Sequence, residues 1–149
     1  MSSPHNHGDL APHIIDYLAA AGVVRPPTAD MRAEHPLPAV YAHSLRDAAA
    51  GAHEAVAVVG PSVEQDPTHS NPDIRFLVVI RSAPWDLEGL HRIGQSVTSA
   101  LHHDRLFPLT ANRSLAYCNQ VLTDQPVQDE NKRWVRVDTY RARPRVPNT

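Results

Sequence analysis

Ten histidines and a single cysteine are the side chains best suited here to metal or nucleophilic chemistry. Their spacing supports neither. His5, His7 and His13 crowd the N-terminus, and His102-His103-Asp104 closes a helical stretch. Neither group has the Cys/His pairs or the His-Glu-x-x-His spacing that converges on zinc. Cys118 stands in a strand-like stretch, where a thiol is a buried packing group rather than a nucleophile. There is no Gly-x-Ser-x-Gly elbow and no phosphate-cradling glycine loop. Asp66 and His69 can meet as an acid–base pair in a polar loop, but two polar residues in such a loop are not by themselves a reaction centre. The residues therefore predict a protein that is not an enzyme, with no catalytic residue, no metal and no cofactor.

Charge is the next candidate for function. The chain carries a net charge of -2, unevenly placed. Residues 132–145 hold Lys132, Arg133, Arg136, Arg141, Arg143 and Arg145 against one acid, Asp138, so this segment is +5 and the rest is -7. A basic end on an acidic body suits nucleic acid, the acidic face of a neighbouring copy, or plain solvent. No aromatic platform or recognition helix accompanies Arg141–Arg145, so sequence-specific DNA reading is not expected.

The elements that must position these residues follow from periodicity. A chain of 149 residues predicts one domain over 1–149, with a flexible N-terminus at 1–8 and a basic tail at 141–149. The longest strictly apolar runs are five residues, too short for a membrane span, and residues 1–8 lack the apolar core of a secretory signal. Residues 9–21 read as a helix with Leu10, Ile14 and Leu18 on one face and Gly22 as its stop. Residues 24–38 hold four prolines and read as a loop or an arm wrapped on the body. Residues 39–51 are compatible with helix or extended chain. Residues 54–59 read as a strand ended by Gly60-Pro61, and residues 60–73 as a long functional or mobile loop.

Residues 74–80 are apolar on both faces, as in a central strand covered on two sides. Residues 84–103 read as a helix capped by Ser82 or Ala83, with Pro84 in its first turn and a stripe of Leu87, Leu90, Ile93, Val97 and Leu101. Gly94 within it predicts a close approach to the sheet. Strands follow at 115–122 and 132–140. In the last, Val135, Val137 and Thr139 share one face, and Trp134, Arg136, Asp138 and Tyr140 the other. That second set reads as the outer face, covered either by the N-terminal arm or by a subunit contact, since Arg and aromatics are enriched at interfaces. The fold expected is α+β, with a small mixed, largely antiparallel sheet packed against two main helices.

Three stretches resemble one family. Ile15-Asp16-Tyr17-Leu18-Ala19-Ala20-Ala21-Gly22 resembles the opening helix of bacteriophage tail terminator proteins, a family that includes minor tail and minor capsid proteins. The strand and helix from Asn71-Pro72-Asp73-Ile74 through Leu90 to His102 resemble their central unit. Pro126-Val127-Gln128-Asp129-Glu130-Asn131-Lys132-Arg133-Trp134-Val135 resembles their closing turn and strand, with Lys132 where a glycine is common. Residues 23–58 are not covered.

The resemblance implies a homohexameric ring that caps the head-proximal end of the tail tube, stops its growth and accepts the head-side connector. Its partners would be copies of itself, the major tail tube protein and the connector, in a virion assembled in the host cytoplasm. DNA would pass through the lumen without sequence-specific binding. The expected contact residues are Val63, Gln65, Asp66, His69 and Asn71 in the loop, Trp134, Arg136, Asp138 and Tyr140 on the last strand, and Arg141, Arg143 and Arg145 beyond it. The alternatives are a head–tail adaptor of the same neck, or a small ligand-binding α/β domain or enzyme.

Overall fold

The computed structural model describes residues 10–45, 54–63, 73–103, 105–110 and 114–145. Helix α1 spans Leu10–Ala20 and buries Leu10, Ile14 and Leu18. It stops at Gly22, whose φ of 77° is open to glycine at no steric cost. The Val23 N–H then reaches the Leu18 carbonyl at 3.0 Å, which satisfies an orphan acceptor of the last turn. Residues 23–38 form an arm that leads into β1 (Ala39–Ala42). Strands β2 (Ala55–Val63) and β3 (Ile74–Pro84) form a hairpin, and helix α2 (Leu87–Leu101) follows. Four more strands complete the chain: β4 (Phe107–Pro108), β5 (Ser114–Thr123), β6 (Val127–Gln128) and β7 (Arg133–Pro144).

The strands make one mixed sheet in the order β1-β2-β3-β7-β5-β4, with β6 continuing the line of β5 along β7. Only β1 and β2 run parallel. The α+β architecture with two helices on a largely antiparallel sheet agrees with the sequence expectation. The sheet curls: α1 packs on β1 and β2, yet its Tyr17 ring meets Phe107 of β4, at the far edge, with centroids 4.6 Å apart. Curling lets one layer of helices cover the apolar face from edge to edge.

That face is set by register. Val58, Val78 and Asp138 lie side by side, as do Phe76 and Tyr140, and Ile74, Ala142 and Cys118. All of these are buried under the helices. The alternate residues of β3, Leu77 and Val79, are only half-buried. So β3 is covered by helices on one side, not two.

Several boundaries move for physical reasons. β2 does not end at Gly60-Pro61; a bulge between Val59 and Ser62 absorbs the proline, and pairing resumes to Val63. The loop therefore starts after Val63, not at Gly60. β3 extends to Pro84, because the buried Ser82 hydroxyl accepts the Trp134 N–H at 3.0 Å and holds this stretch to β7. The α2 cap is therefore Asp86, whose carboxylate accepts the Gly89 N–H at 2.9 Å. β7 runs on through Arg141 and Arg143 to Pro144, so these arginines are strand residues rather than a tail. No described helix is long and apolar enough to cross a membrane.

Candidate functional site

The end of the sheet that carries the β2–β3 loop collects the charged residues of interest. Val63 pairs with Ile74 and closes the hairpin, and Asp73 stands where the chain returns from the loop. The Asp73 carboxylate is buried between two arginines of β7, accepting from Arg143 Nε at 2.7 Å and standing 2.9 Å from an Arg141 Nη. Arg143 also lies over the Tyr117 ring, 5.9 Å from its centroid. Arg141 faces Arg75 directly across the β3–β7 pair, so Asp73 offsets a repulsion built into the register. Arg145 follows, exposed, its N–H bonded to the Ser114 carbonyl at 2.9 Å. Arg141, Arg143 and Arg145 thus gather at the base of the loop. Gln65, Asp66, His69 and Asn71 lie outside the described residues.

Burial alone would raise the Asp73 pKa, but hydrogen bonds from Tyr117 and Arg143 and the charges of both arginines outweigh it and hold the value below 3.8. For Tyr117, burial and the bond to Asp73 act together and raise the pKa. Asp129 is likewise lowered: burial opposes, and backbone and side-chain bonds from Arg133 prevail. A folded-state pKa below the unfolded one means stabilisation that is complete above the unfolded value and is lost as pH falls through the folded one. Stability should therefore drop below about pH 4. Urea midpoints followed from about pH 7 to about pH 2 should show a shallower acid limb for Asp73→Asn than for the parent. An equally steep limb in both would remove Asp73 as a contributor.

The odd-numbered residues of β3 and β7 form the face that the helices leave open. Leu77, Val79, Val135, Val137 and Thr139 are its half-buried centre, with Arg75, Arg141 and Arg143 towards the loop end. This corrects the expectation for β7. Arg136, Asp138 and Tyr140 point under α2, not outward, because their β3 neighbours Ile80, Val78 and Phe76 face the helices. Asp138 and Tyr140 are fully buried and have no surface to offer a neighbour. Trp134 is half-buried against the core.

Under α2 these side chains satisfy one another. Arg136 grips both Asp138 oxygens, at 2.9 and 2.8 Å, and its Nη1 donates to His91 Nδ1 at 2.9 Å. The Thr123 hydroxyl also donates to Asp138. The Thr98 hydroxyl bonds Gln120 at 3.0 Å and lies 2.9 Å from the Tyr140 hydroxyl. Burial, foremost, raises the Tyr140 pKa. A Cβ at Gly94 would overlap the Arg136 guanidinium, so the space beside the glycine is taken by the end of a β7 side chain rather than by the strand itself. A cleft of about 310 Å³ opens beside the cluster, lined by His91, Gly94, Thr98, Gln120, Thr123 and Arg136. With both Asp138 oxygens and His91 Nδ1 engaged, the cluster ties α2 to the sheet and presents no free base.

Two further chemical candidates, Cys118 and His103, are packing groups. Cys118 is buried, which pushes its thiol up to about 12. The His103 ring packs on Phe107 at 4.2 Å and its Nε2 lies 3.1 Å from the Ala100 carbonyl. His5, His7 and Asp104 lie outside the described residues. Among the described residues no group of three or more His, Cys, Asp or Glu could hold a metal ion.

One feature at the opposite end of the sheet has no counterpart in the sequence reading. Trp85 is 72% exposed and has φ 62°, a left-handed conformation that a bulky residue adopts at a cost of about 1–3 kcal/mol. Its N–H donates to the Lys132 carbonyl at 2.8 Å, and the Lys132 ammonium lies 5.8 Å from its ring centroid. Lys132 itself has φ 66°, so it keeps the backbone conformation natural to glycine at this turn. The cue to Trp85 was Asp86: read as the cap, it places Trp85 before the helix instead of inside it.

No family model matches this chain, and no curated protein matches it. Among solved structures it is similar to a chain of the "virion of native gene transfer agent (GTA) particle", with a TM-score of 0.54 and 17% identity over 71% of this chain and 78% of that one. At that identity the likeness bears on the fold alone.

Proposed function

We propose that this protein is a structural subunit of a phage-like virion, and within it a tail terminator: a ring of six copies that caps the head-proximal end of the tail tube and receives the head-side connector. The observation that carries the reading is the shared fold with a chain of a gene transfer agent virion over most of both chains. Two features support it. Asp73, Arg141 and Arg143 gather charge at the end of the sheet where β2 and β3 connect, suited to binding an ordered protein surface. The buried polar cluster is fully engaged in holding the fold. Capping makes and breaks no bond; it needs only complementary surfaces.

Electron microscopy of purified protein with growing tail tubes tests the reading. The expected result is rings on one tube end and shorter tubes with added protein. Unrestricted growth and bare ends would overturn it. Replacing residues 64–70 by a short turn should preserve the melting curve and abolish capping, because β2 and β3 stay paired up to Val63 and Ile74. Tubes of unchanged length distribution with that variant would show that the loop has no part in the contact.

A further inference from the structure

We infer that Trp85 is the anchor of a head-to-tail contact between copies of this chain, and that it enters the groove between α1 and α2 of the next copy. The partner follows from the ring proposed above; the residues follow from the geometry.

Trp85 has the attributes of an interface anchor. It is the most exposed large apolar side chain among the described residues, with Leu87 at the start of α2 also exposed. Its backbone is held, by the N–H bond to the Lys132 carbonyl and by the capped helix start behind it. A residue whose backbone is already ordered loses less freedom on binding than one on a loose loop. Buried tryptophan anchors dominate the energetics of many interfaces.

The receiving site is on the other side of α2. A groove of about 680 Å³ runs between the end of α1 and the second half of α2, walled by Gly22, Val23, Leu37, Ser96, Ser99 and Ala100. The small residues on its helical walls leave room for an indole. Its rim carries Glu54 and Arg92, a loose pair 3.8 Å apart. The Trp85 corner carries the opposite partners: Lys132 over the ring, and exposed Glu88 and Glu130 beside it. Lys132 matches Glu54, and the two glutamates match Arg92, so the charges fit a second copy of this chain.

Trp85 cannot fill its own groove. Helical rise puts Ser96 about 16 Å further along α2 from residue 85, with the helix itself in between. A contact that joins one patch to a different patch on the next copy propagates, and it closes into a ring when the rotation allows.

Photo-crosslinking tests the contact. The full chain with Trp85 replaced by p-benzoylphenylalanine keeps an aromatic knob. It is mixed with isotope-labelled unsubstituted chain, alone at high concentration and with tail tubes, and irradiated. The expected product joins residue 85 to residues 21–23 or 92–100 of a differently labelled copy. Ser96→Arg, at an exposed helical position, should lower that yield by about tenfold or more without moving the melting temperature. Products that join residue 85 only to the tube protein or to other regions, or no intermolecular product in either mixture, would overturn the inference. Capped tubes without the 85-to-groove product would leave the terminator reading standing and remove this contact. The product without capping would do the reverse.

Discussion

Arg136→Ala should lower the unfolding free energy by about 3–5 kcal/mol, the largest single-residue effect expected away from the apolar core. The reason is Asp138. Its carboxylate is fully buried and held on both oxygens by the Arg136 fork, with Thr123 as a further donor. Removing the guanidinium leaves a buried carboxylate without its paired cation and without two of its hydrogen-bond donors. It also unties α2, because the same arginine bonds His91 on that helix. For a chain of this length the melting temperature should fall by roughly 10 °C. The double variant Arg136→Met, Asp138→Leu removes both charges and should recover most of the loss, since paired apolar groups of similar volume replace buried ion pairs without penalty. Chemical denaturation of the three proteins decides it. A single variant within about 1 kcal/mol of the parent would mean that the pair is solvated in solution.

Arg25→Ala should cost on the order of 3 kcal/mol and release the arm first. Arg25 is 2% exposed, and its guanidinium is the post around which residues 26–38 turn. Nε donates to the Leu37 carbonyl at 2.9 Å, and Nη1 to those of Asp30 at 2.9 Å and Ala33 at 2.8 Å. Its backbone N–H adds the Pro38 carbonyl at 3.0 Å. Three carbonyls would lose a charged donor at once. Arg25→Lys should restore less than half of the loss, because one ammonium cannot reproduce a planar fork with donors at both ends. Hydrogen exchange should show lost protection at 26–38 and unchanged protection in β3 and β7. Uniform loss across the chain would show that the arm and body unfold as one unit.

The sequence made some of this legible and hid the rest for identifiable reasons. β3 and α2 were readable because a run of Phe76–Ile80 and a stripe at 90, 93, 97 and 101 are direct records of burial. The alternation of β7 was readable too, but alternation separates two faces without saying which one is covered. The cue lay on the partner: His91, Gly94 and Thr98 form a second, polar stripe on α2 that needs polar groups beneath it. Proline misled at Gly60-Pro61, which sits in a bulge instead of ending β2. The Asp73 clamp joins residues 70 positions apart in sequence, so no local pattern records it. Arg25 was invisible because its partners are backbone carbonyls, which every sequence has.

The place of β7 in the sheet bears on how the chain is made. β7 follows every other strand in sequence, yet it lies between β3 and β5. Until residues 133–144 have left the ribosome, β1-β2-β3 and β4-β5 are two strand groups, each with a raw edge where β7 belongs. Every pairing that joins them spans more than a local turn, which slows closure and lengthens exposure to other nascent chains. A premature stop before residue 133 would therefore yield a sticky product with open strands at β3 and β5, destined for aggregation or proteolysis. Completion of the sheet is then all-or-none along the message, because no chain that stops before β7 holds the strand that joins its two halves.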